Sequence, residues 1–438
     1  MYQYYRIAAA VPDMRVADTA YNVDQMLQKV EEAKQKGVNL ITFPELSVTG
    51  YTCGDLFLQQ TLLTESKKEA ARFVQTTADY DMVVVFGMPL SIANALYNVA
   101  VTAYRGHIYG ITVKTFLPNY NEFYEKRWFS SARELSTDHI YASELLGSVE
   151  CDYNIPLGNN LIYHLPDAFC FGAEICEDLW APIPPSAFMA MSGAELILNL
   201  SASNDTIGKR EYREKLVKEK STSLMCTYLY ASAGANESTT DLIFSGHCMI
   251  CEGGKMLAEN SEIAENNYLL VADIDIERIQ ADRLKGKTYQ DCAGTYGSAV
   301  SMRQILIPVS EAFESDGSLR RVNPPIYTGR YKETPEALYG YLPYADRRTC
   351  KAAFHLWRKD GDWCVRWYGF HLVTACGCTD LEEDGAACYE SDRNHDASLR
   401  HDEPHISKFP NPDADSWHYS QGNPNQECMY YTLCGHRT

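Results

Sequence analysis

Residues 38–51 read VNLITFPELSVTGY, an apolar run that breaks at a proline followed by a glutamate. The stretch before it, NVDQMLQKVEEAKQKG (residues 22–37), places Val23, Met26 and Val30 on one helical face and ends in a glycine. A helix that leads into a buried strand in this way is the repeating unit of a layered α/β fold.

The same alternation recurs along the first 323 residues. An apolar run covers Tyr5–Val11 and a helical pattern covers Leu56–Ala78. Further strand-like runs are DMVVVFGMP, AFCFGAEIC, ELILNLSAS, TYLYASA and YLLVADIDI. Turn-like glycines between some of these runs indicate hairpins, so we expect mixed sheets. The sequence therefore predicts an α/β domain over residues 1–323, with residues 324–438 as a separate tail.

Composition excludes some classes of protein. The 438 residues include 39 basic and 58 acidic side chains, and the formal net charge is −19. A nucleic-acid partner needs clustered Lys and Arg, so we expect none. The sequence has no signal-peptide pattern at its start and no apolar run long enough to cross a membrane, which predicts a cytoplasmic protein. In that compartment the 15 cysteines are expected to be free thiols.

Three strand ends carry the side chains of a possible catalytic site. Glu45 follows the strand quoted above, Lys114 ends a strand in GITVKTFLPNYNEFYEKRWF, and Cys176 ends a strand in FCFGAEICEDLW. A thiol attacks an amide carbon as thiolate, so it needs a base and a nearby positive charge. Glu45 and Lys114 can supply both. Each residue alone also fits an ordinary structural role, as a buried thiol, a helix-end charge or a surface lysine.

The segments FPELSVTGY, LPNYNEFYEKRWF and GAEICEDLW resemble the three motifs of the nitrilase, or carbon–nitrogen hydrolase, superfamily. The resemblance implies an α-β-β-α sandwich in which Glu45 is the base, Lys114 stabilises the oxyanion and Cys176 is the nucleophile. The combination of YxEFYExRWF, CEDLW and NLSAS is more specifically similar to the glutaminase domain of bacterial glutamine-dependent NAD synthetases, over residues 1–323.

That resemblance implies a set of residues that bind L-glutamine and one that supports the lysine. The glutamine-binding residues are Tyr120, Phe123, Glu177, Trp180, Ser203 and Lys209, and Glu122 corresponds to a glutamate that orients the lysine. A lysine cannot recognise a carboxylate in bidentate fashion, so Arg210 is the alternative to Lys209. The cysteines of this domain show no repeated CxxC pair, and we expect neither a metal nor a cofactor in it.

The tail, residues 324–438, has an unusual composition, with seven of the 15 Cys and seven of the 11 His. In the family an ATP- and Mg-dependent synthetase domain follows, opening with a Ser-Gly-Gly-x-Asp-Ser loop that holds pyrophosphate. The sequence as given contains no such loop. However, a reading shifted by one base permits Val-Ser-Gly-Gly-Met-Asp-Ser-Thr across Cys364–His371, and a second family-like segment across Leu399–Lys408. We therefore expect a frameshifted remnant of the synthetase domain, beginning near Pro324 and without a native fold.

Two other interpretations of the tail are a small zinc module and a natural interaction segment. The zinc candidates are Cys364, Cys376, Cys378, Cys388, His395, His401 and His405, whose spacing does not form paired CxxC knuckles. A disordered interaction segment is normally poor in Trp and Cys, unlike this tail.

For the whole chain the resemblance implies an ammonia-supplying glutamine amidohydrolase. In the intact family the ammonia passes to nicotinic acid adenine dinucleotide, and the enzyme is a homo-oligomer. The alternatives are a stand-alone amidase of the same superfamily that acts on another small amide, and a catalytically silent oligomerising scaffold.

Overall fold

The computed structural model describes residues 4–147, 152–239, 242–260, 267–310 and 313, and three short strands closer to the C-terminus. The chain divides into two compact units, Met1–Pro324 and Pro325–Thr438.

The first unit contains short strands that are distributed along most of its sequence. They are β1 (Tyr4–Val11), β2 (Leu40–Thr42), β3 (Val83–Ile92), β4 (Ala95–Tyr104), β5 (His107–Val113), β6 (His139–Tyr141), β7 (Asn154–Gly158), β8 (Leu161–His164), β9 (Cys170–Ile175), β10 (Leu196–Ser201), β11 (Thr227–Ser232), β12 (Met249–Glu252), β13 (Lys255–Glu259), β14 (Tyr268–Asp275) and β15 (Arg303–Leu306).

The helices of the first unit alternate with these strands. They are α1 (Thr19–Gln35), α2 (Gln60–Thr76), α3 (Ala142–Leu146), α4 (Pro185–Met191), α5 (Lys209–Ser223), α6 (Ile276–Lys285) and α7 (Lys287–Tyr296). Helix α1 begins where the Asp18 side chain accepts the Tyr21 N–H, and it ends before Gly37, whose φ is +66°.

The strands form two mixed sheets. One sheet has the order β14-β1-β2-β3-β4-β5-β7-β6, and the other β13-β12-β11-β10-β9-β8-β15. Neighbours β1, β2 and β3 run parallel, as do β9, β10 and β11, whereas β3, β4 and β5 alternate in direction. The prediction of mixed sheets is confirmed.

The core lies in three layers. Between the sheets, Ile7 and Val85 of the first sheet pack with Phe171 and Leu198 of the second. Helices α1 and α2 cover the outer face of the first sheet, and α4 and α5 cover that of the second. The result is the predicted α-β-β-α sandwich.

One predicted helix is shorter than expected. The Leu56–Ala78 pattern divides into a 3-10 turn, Gly54–Leu58, and helix α2, because Gln59 between them is extended at φ −94° and ψ 124°. Phe57 in the turn is thereby buried against Phe129, at a ring-centroid distance of 5.0 Å.

In the second unit the described residues form an antiparallel sheet of β16 (Phe354–Lys359), β17 (Asp362–Trp367) and β18 (Met429–Tyr431), in the order β17-β16-β18. Most of the residues covered by the prediction of a tail without a native fold, and the side chains of the alternative zinc module, lie outside the described part of the chain.

Candidate active site

Glu45 lies in the turn that follows β2. The turn approaches β3 closely: a Cβ on Gly87 would lie 2.3 Å from the Leu46 nitrogen and 2.8 Å from the Pro44 oxygen. The Ser47 hydroxyl and the Val48 N–H both donate to the Gly87 carbonyl, at 3.3 and 3.1 Å. Glycine at position 87 therefore allows the turn that carries Glu45 to lie against the sheet.

Lys114 follows β5, which runs in the same direction as β2. The side chains of Glu45 and Lys114 therefore lie at the same end of the strands of the first sheet. Asp178 fixes this strand end to the second sheet. Its buried carboxylate accepts the N–H groups of Thr115, Phe116 and Ile175 at 3.1, 2.8 and 3.1 Å. Burial raises the pKa of Asp178 to about 8, although the N–H groups of Phe116 and Ile175 lower it.

Cys176 directly follows β9 and is the first residue of a 3-10 turn, Cys176–Trp180. Its φ is +43°, a value that a residue with a side chain rarely adopts. Cys176 is buried, at 7% exposed. Burial and the Glu45 carboxylate raise the pKa of Cys176, while Lys114 lowers it. The structure thus places all three predicted catalytic side chains close enough together to interact electrostatically.

The contacts of Lys114 define the centre of the site. Its Nζ donates to Glu45 Oε1 at 2.6 Å and to Glu125 Oε1 at 2.8 Å, and all three side chains are at most 1% exposed. Burial alone would lower the pKa of Lys114, but the two carboxylates outweigh it and hold that pKa well above its usual range. The lysine is therefore a fixed positive charge.

The supporting carboxylate is Glu125 and not Glu122, which corrects the sequence-based assignment. Glu125 is the first residue of a 3-10 turn, and its N–H donates to the Pro118 carbonyl. In this position the Glu125 carboxylate contacts the Lys114 ammonium. Glu122, three residues earlier, instead accepts the Asn204 Nδ2–H at 2.6 Å.

Glu45 has one engaged and one unengaged oxygen. Oε1 accepts from Lys114 and from Asn98 Nδ2 at 2.6 Å, whereas the buried Oε2 has no hydrogen-bond partner among the described residues. Asn98 lies within β4 and was not identified from sequence.

Several of the predicted glutamine-binding residues contact one another. Tyr120 donates to both oxygens of Glu177 at 2.9 and 3.0 Å. The Lys209 Nζ lies over the rings of Phe123 and Trp180, at 5.5 and 5.7 Å from their centroids.

Ser203 is buried deeper, at 4% exposed. It contacts Arg213 Nη1 at 3.4 Å, and Arg213 is itself fully buried. Arg210, the alternative to Lys209, donates to Glu259 Oε1 at 2.8 Å and to the Asn260 carbonyl at 2.6 Å. Of the two basic residues, Lys209 therefore lies with the other predicted binding residues.

The described residues contain no group of three His, Cys, Asp or Glu side chains arranged to hold a metal ion. No helix among them is long and apolar enough to cross a membrane.

A sandwich that brings a thiol, a carboxylate and an ammonium together at strand ends is suited to the hydrolysis of carbon–nitrogen bonds. Residues 6–284 match the carbon-nitrogen hydrolase family. The chain belongs to this family.

Several similar proteins share one name. The glutamine-dependent NAD(+) synthetase of Mycobacterium leprae is 34% identical over 322 residues, covering 73% of this chain and 46% of the relative. The Homo sapiens protein of the same name is 27% identical over 279 residues, covering 63% and 39%. The chain thus spans about half the length of the curated relatives it matches.

Solved structures agree with this relationship. A glutamine-dependent NAD(+) synthetase from Cytophaga hutchinsonii has a TM-score of 0.54 and 31% identity, covering 62% of this chain and 43% of that one. Saccharomyces cerevisiae Nit3, of the nitrilase superfamily, has a TM-score of 0.50 at 19% identity, covering 65% and 94%, and supports the fold alone.

Proposed function

We propose that this chain is a glutamine amidohydrolase that releases ammonia and glutamate, as the ammonia-supplying part of a glutamine-dependent NAD synthetase. The names of the relatives support the substrate, and the carbon–nitrogen hydrolase fold supports the reaction class. The observation that carries the mechanism is the unengaged Oε2 of Glu45 beside a buried thiol.

In the first step Glu45 Oε2 takes the Cys176 proton as the sulfur attacks the amide carbon of glutamine. The raised pKa of Cys176 means that the thiol reaches this step protonated, so a base is required. The carbonyl oxygen becomes an oxyanion, which the Lys114 ammonium and an N–H of the turn Cys176–Trp180 stabilise.

In the second step the carbon–nitrogen bond breaks and Glu45 returns the proton to the departing nitrogen, which leaves as ammonia. A thioester remains on Cys176. Glu45 then removes a proton from water, the hydroxide attacks the thioester, and glutamate leaves as the thiol takes up the proton.

Glutamine is distinguished from other amides by its α-amino and α-carboxylate groups. Glu177 and Tyr120 form a hydrogen-bonded pair suited to the ammonium, and Lys209 provides the positive charge for the carboxylate. Phe123, Trp180 and Ser203 complete the proposed binding surface.

Transfer of the ammonia to nicotinic acid adenine dinucleotide is proposed only for the intact family. For this chain we propose a cytoplasmic location and assembly into a homo-oligomer. The described residues include no Ser-Gly-Gly-x-Asp-Ser loop and no cluster suited to Mg²⁺. No step of the proposed reaction uses ATP, a metal or a cofactor.

The test is ammonia release from glutamine by the full chain and by Cys176→Ala. Because the sulfur forms the bond to carbon, we expect kcat to fall by at least about four orders of magnitude. Cys248→Ala is the matched control, since this thiol is also buried in the core between the sheets. Equal hydrolysis by wild type and Cys176→Ala would eliminate the proposed mechanism, and faster hydrolysis of short aliphatic amides than of glutamine would eliminate the proposed substrate.

A further inference from the structure

Asn204 connects two residues of the site that lie far apart in sequence. Its side chain is 3% exposed. Nδ2 donates to Glu122 Oε1 at 2.6 Å, and Oδ1 accepts from the Lys209 ammonium. The three side chains form one hydrogen-bonded chain from the loop after β5 to the start of α5.

The chemistry of its two neighbours fixes the orientation of the Asn204 amide. An ionised glutamate only accepts hydrogen bonds, and a lysine ammonium only donates them. The NH₂ end must therefore face Glu122 and the oxygen must face Lys209. A flipped amide would place an acceptor against a carboxylate and a donor against an ammonium.

The backbone at Asn204 is also fixed. Arg213, which is fully buried in α5, donates from Nη1 to the Asn204 carbonyl at 3.0 Å and from Nη2 to the Asp205 carboxylate. The segment that carries Asn204 is thus attached both to α5 and, through Glu122, to the loop after β5.

The position of the Lys209 ammonium depends on a neighbouring group such as Asn204. A lysine ammonium is a point charge on a flexible stem, and it cannot form the two parallel hydrogen bonds with which an arginine orients a carboxylate. Asn204 takes one of its three N–H donors, while the rings of Phe123 and Trp180 limit the remaining positions of the ammonium.

We propose that Asn204 is a positioning residue that determines specificity, because it holds Lys209 where the α-carboxylate of the substrate binds. This inference rests on the proposed glutaminase function. It assigns recognition of the carboxylate to the Glu122–Asn204–Lys209 chain and leaves the α-amino group to Glu177.

The experiment compares three amides on the full chain: glutamine, glutaramate, which lacks the α-amino group, and 4-aminobutanamide, which lacks the α-carboxylate. The variants are Asn204→Asp and the double variant Asn204→Asp/Glu122→Gln. The single variant places two carboxylates against each other, while the double variant restores a donor–acceptor pair with the wild-type net charge.

For Asn204→Asp we expect KM to rise about tenfold or more for glutamine and glutaramate, with kcat less affected. The substitution removes the N–H that Asn204 donates to Glu122 and leaves two carboxylates that repel each other beside Lys209, so the ammonium is drawn from its position. For 4-aminobutanamide we expect kcat/KM to change less than about threefold. The double variant should recover most of the loss. Circular dichroism of each variant separates these effects from misfolding.

The inference is overturned if all three amides lose activity by the same factor, or if KM for glutamine does not change in Asn204→Asp. Failure of the double variant to recover, when it is folded, also overturns it. A wild-type chain that does not hydrolyse glutamine at all would instead overturn the proposed function, on which the inference depends.

Discussion

Lys114 is held by two buried carboxylates, and this arrangement makes the centre of the site sensitive to single changes. Two carboxyl groups and one ammonium are buried together here, and burial raises the pKa of Glu125 to about 7 although the Lys114 ammonium lowers it. Such an arrangement is stable only while each charge keeps its partners, and removal of one partner of a buried pair typically costs about 3–5 kcal/mol.

Glu125→Gln tests the assignment of the supporting carboxylate. The substitution keeps the shape but removes one of the two negative charges on Lys114, so we expect kcat for glutamine to fall about a hundredfold. Steady-state kinetics measure the effect. The matched control is Glu122→Gln, which we expect to act mainly on KM because Glu122 contacts Asn204 and not Lys114.

The opposite pattern, with kcat lost in Glu122→Gln and kept in Glu125→Gln, would restore the sequence-based assignment.

At this scale the sequence identifies some residues and not others. Cys176, Glu45 and Lys114 could be found because each follows an apolar strand and belongs to a recognisable motif. Glu122 and Glu125 could not be distinguished, since the fold of the loop between them decides which one reaches the lysine. Asn98 gives no signal, because it lies within a strand like any other polar residue.

Among the elements, the turn after β2 and strand β3 together position the Glu45 carboxylate. Their contact depends on the absence of a side chain at Gly87. The turn includes Leu46 at φ +52°, and so it has little freedom to move away.

Gly87→Ala should therefore destabilise the protein and displace Glu45. The added methyl group would overlap backbone atoms, and we expect the free energy of unfolding to fall by about 1–3 kcal/mol, with a loss of glutaminase activity. Denaturant unfolding and ammonia release measure the two effects.

Gly294→Ala is the control for this substitution. Gly294 lies in α7, and a Cβ there meets no atom within 4 Å. We expect the free energy of unfolding to rise by about 0.5–1 kcal/mol, because alanine favours a helix more than glycine does. Equal effects of the two substitutions would contradict the close-contact explanation.

Periodicity predicts the central strands and the amphipathic helix α1 well, because each buries a continuous face. It does not locate the break at Gln59, where the sequence remains compatible with a helix and burial of Phe57 favours a separate turn. Sheet order is a long-range property that periodicity does not predict. The α-β-β-α layering was predicted only through the family resemblance.

At the scale of the whole molecule, the relatives extend well beyond the matched region. We propose that the tail is an out-of-frame remnant of a synthetase domain. The nucleotide sequence from Asn323 to His371 tests this proposal: it should encode Val-Ser-Gly-Gly-Met-Asp-Ser-Thr when read one base later from Cys364. Codons that do not permit this peptide would refute it.

The most direct test of the central claim is covalent labelling of the full chain with a diazoketone analogue of glutamine, followed by peptide mass spectrometry. Cys176 should form a thioether with loss of N₂, glutamine should slow the labelling, and Glu45→Gln should nearly abolish it because the thiol loses its base. The other free cysteines of the described residues, among them Cys53, Cys226 and Cys248, should remain unlabelled. A folded chain whose Cys176 stays unlabelled, or is labelled at the same rate with and without glutamine, would contradict the assignment of Cys176 as the nucleophile of a glutamine amidohydrolase.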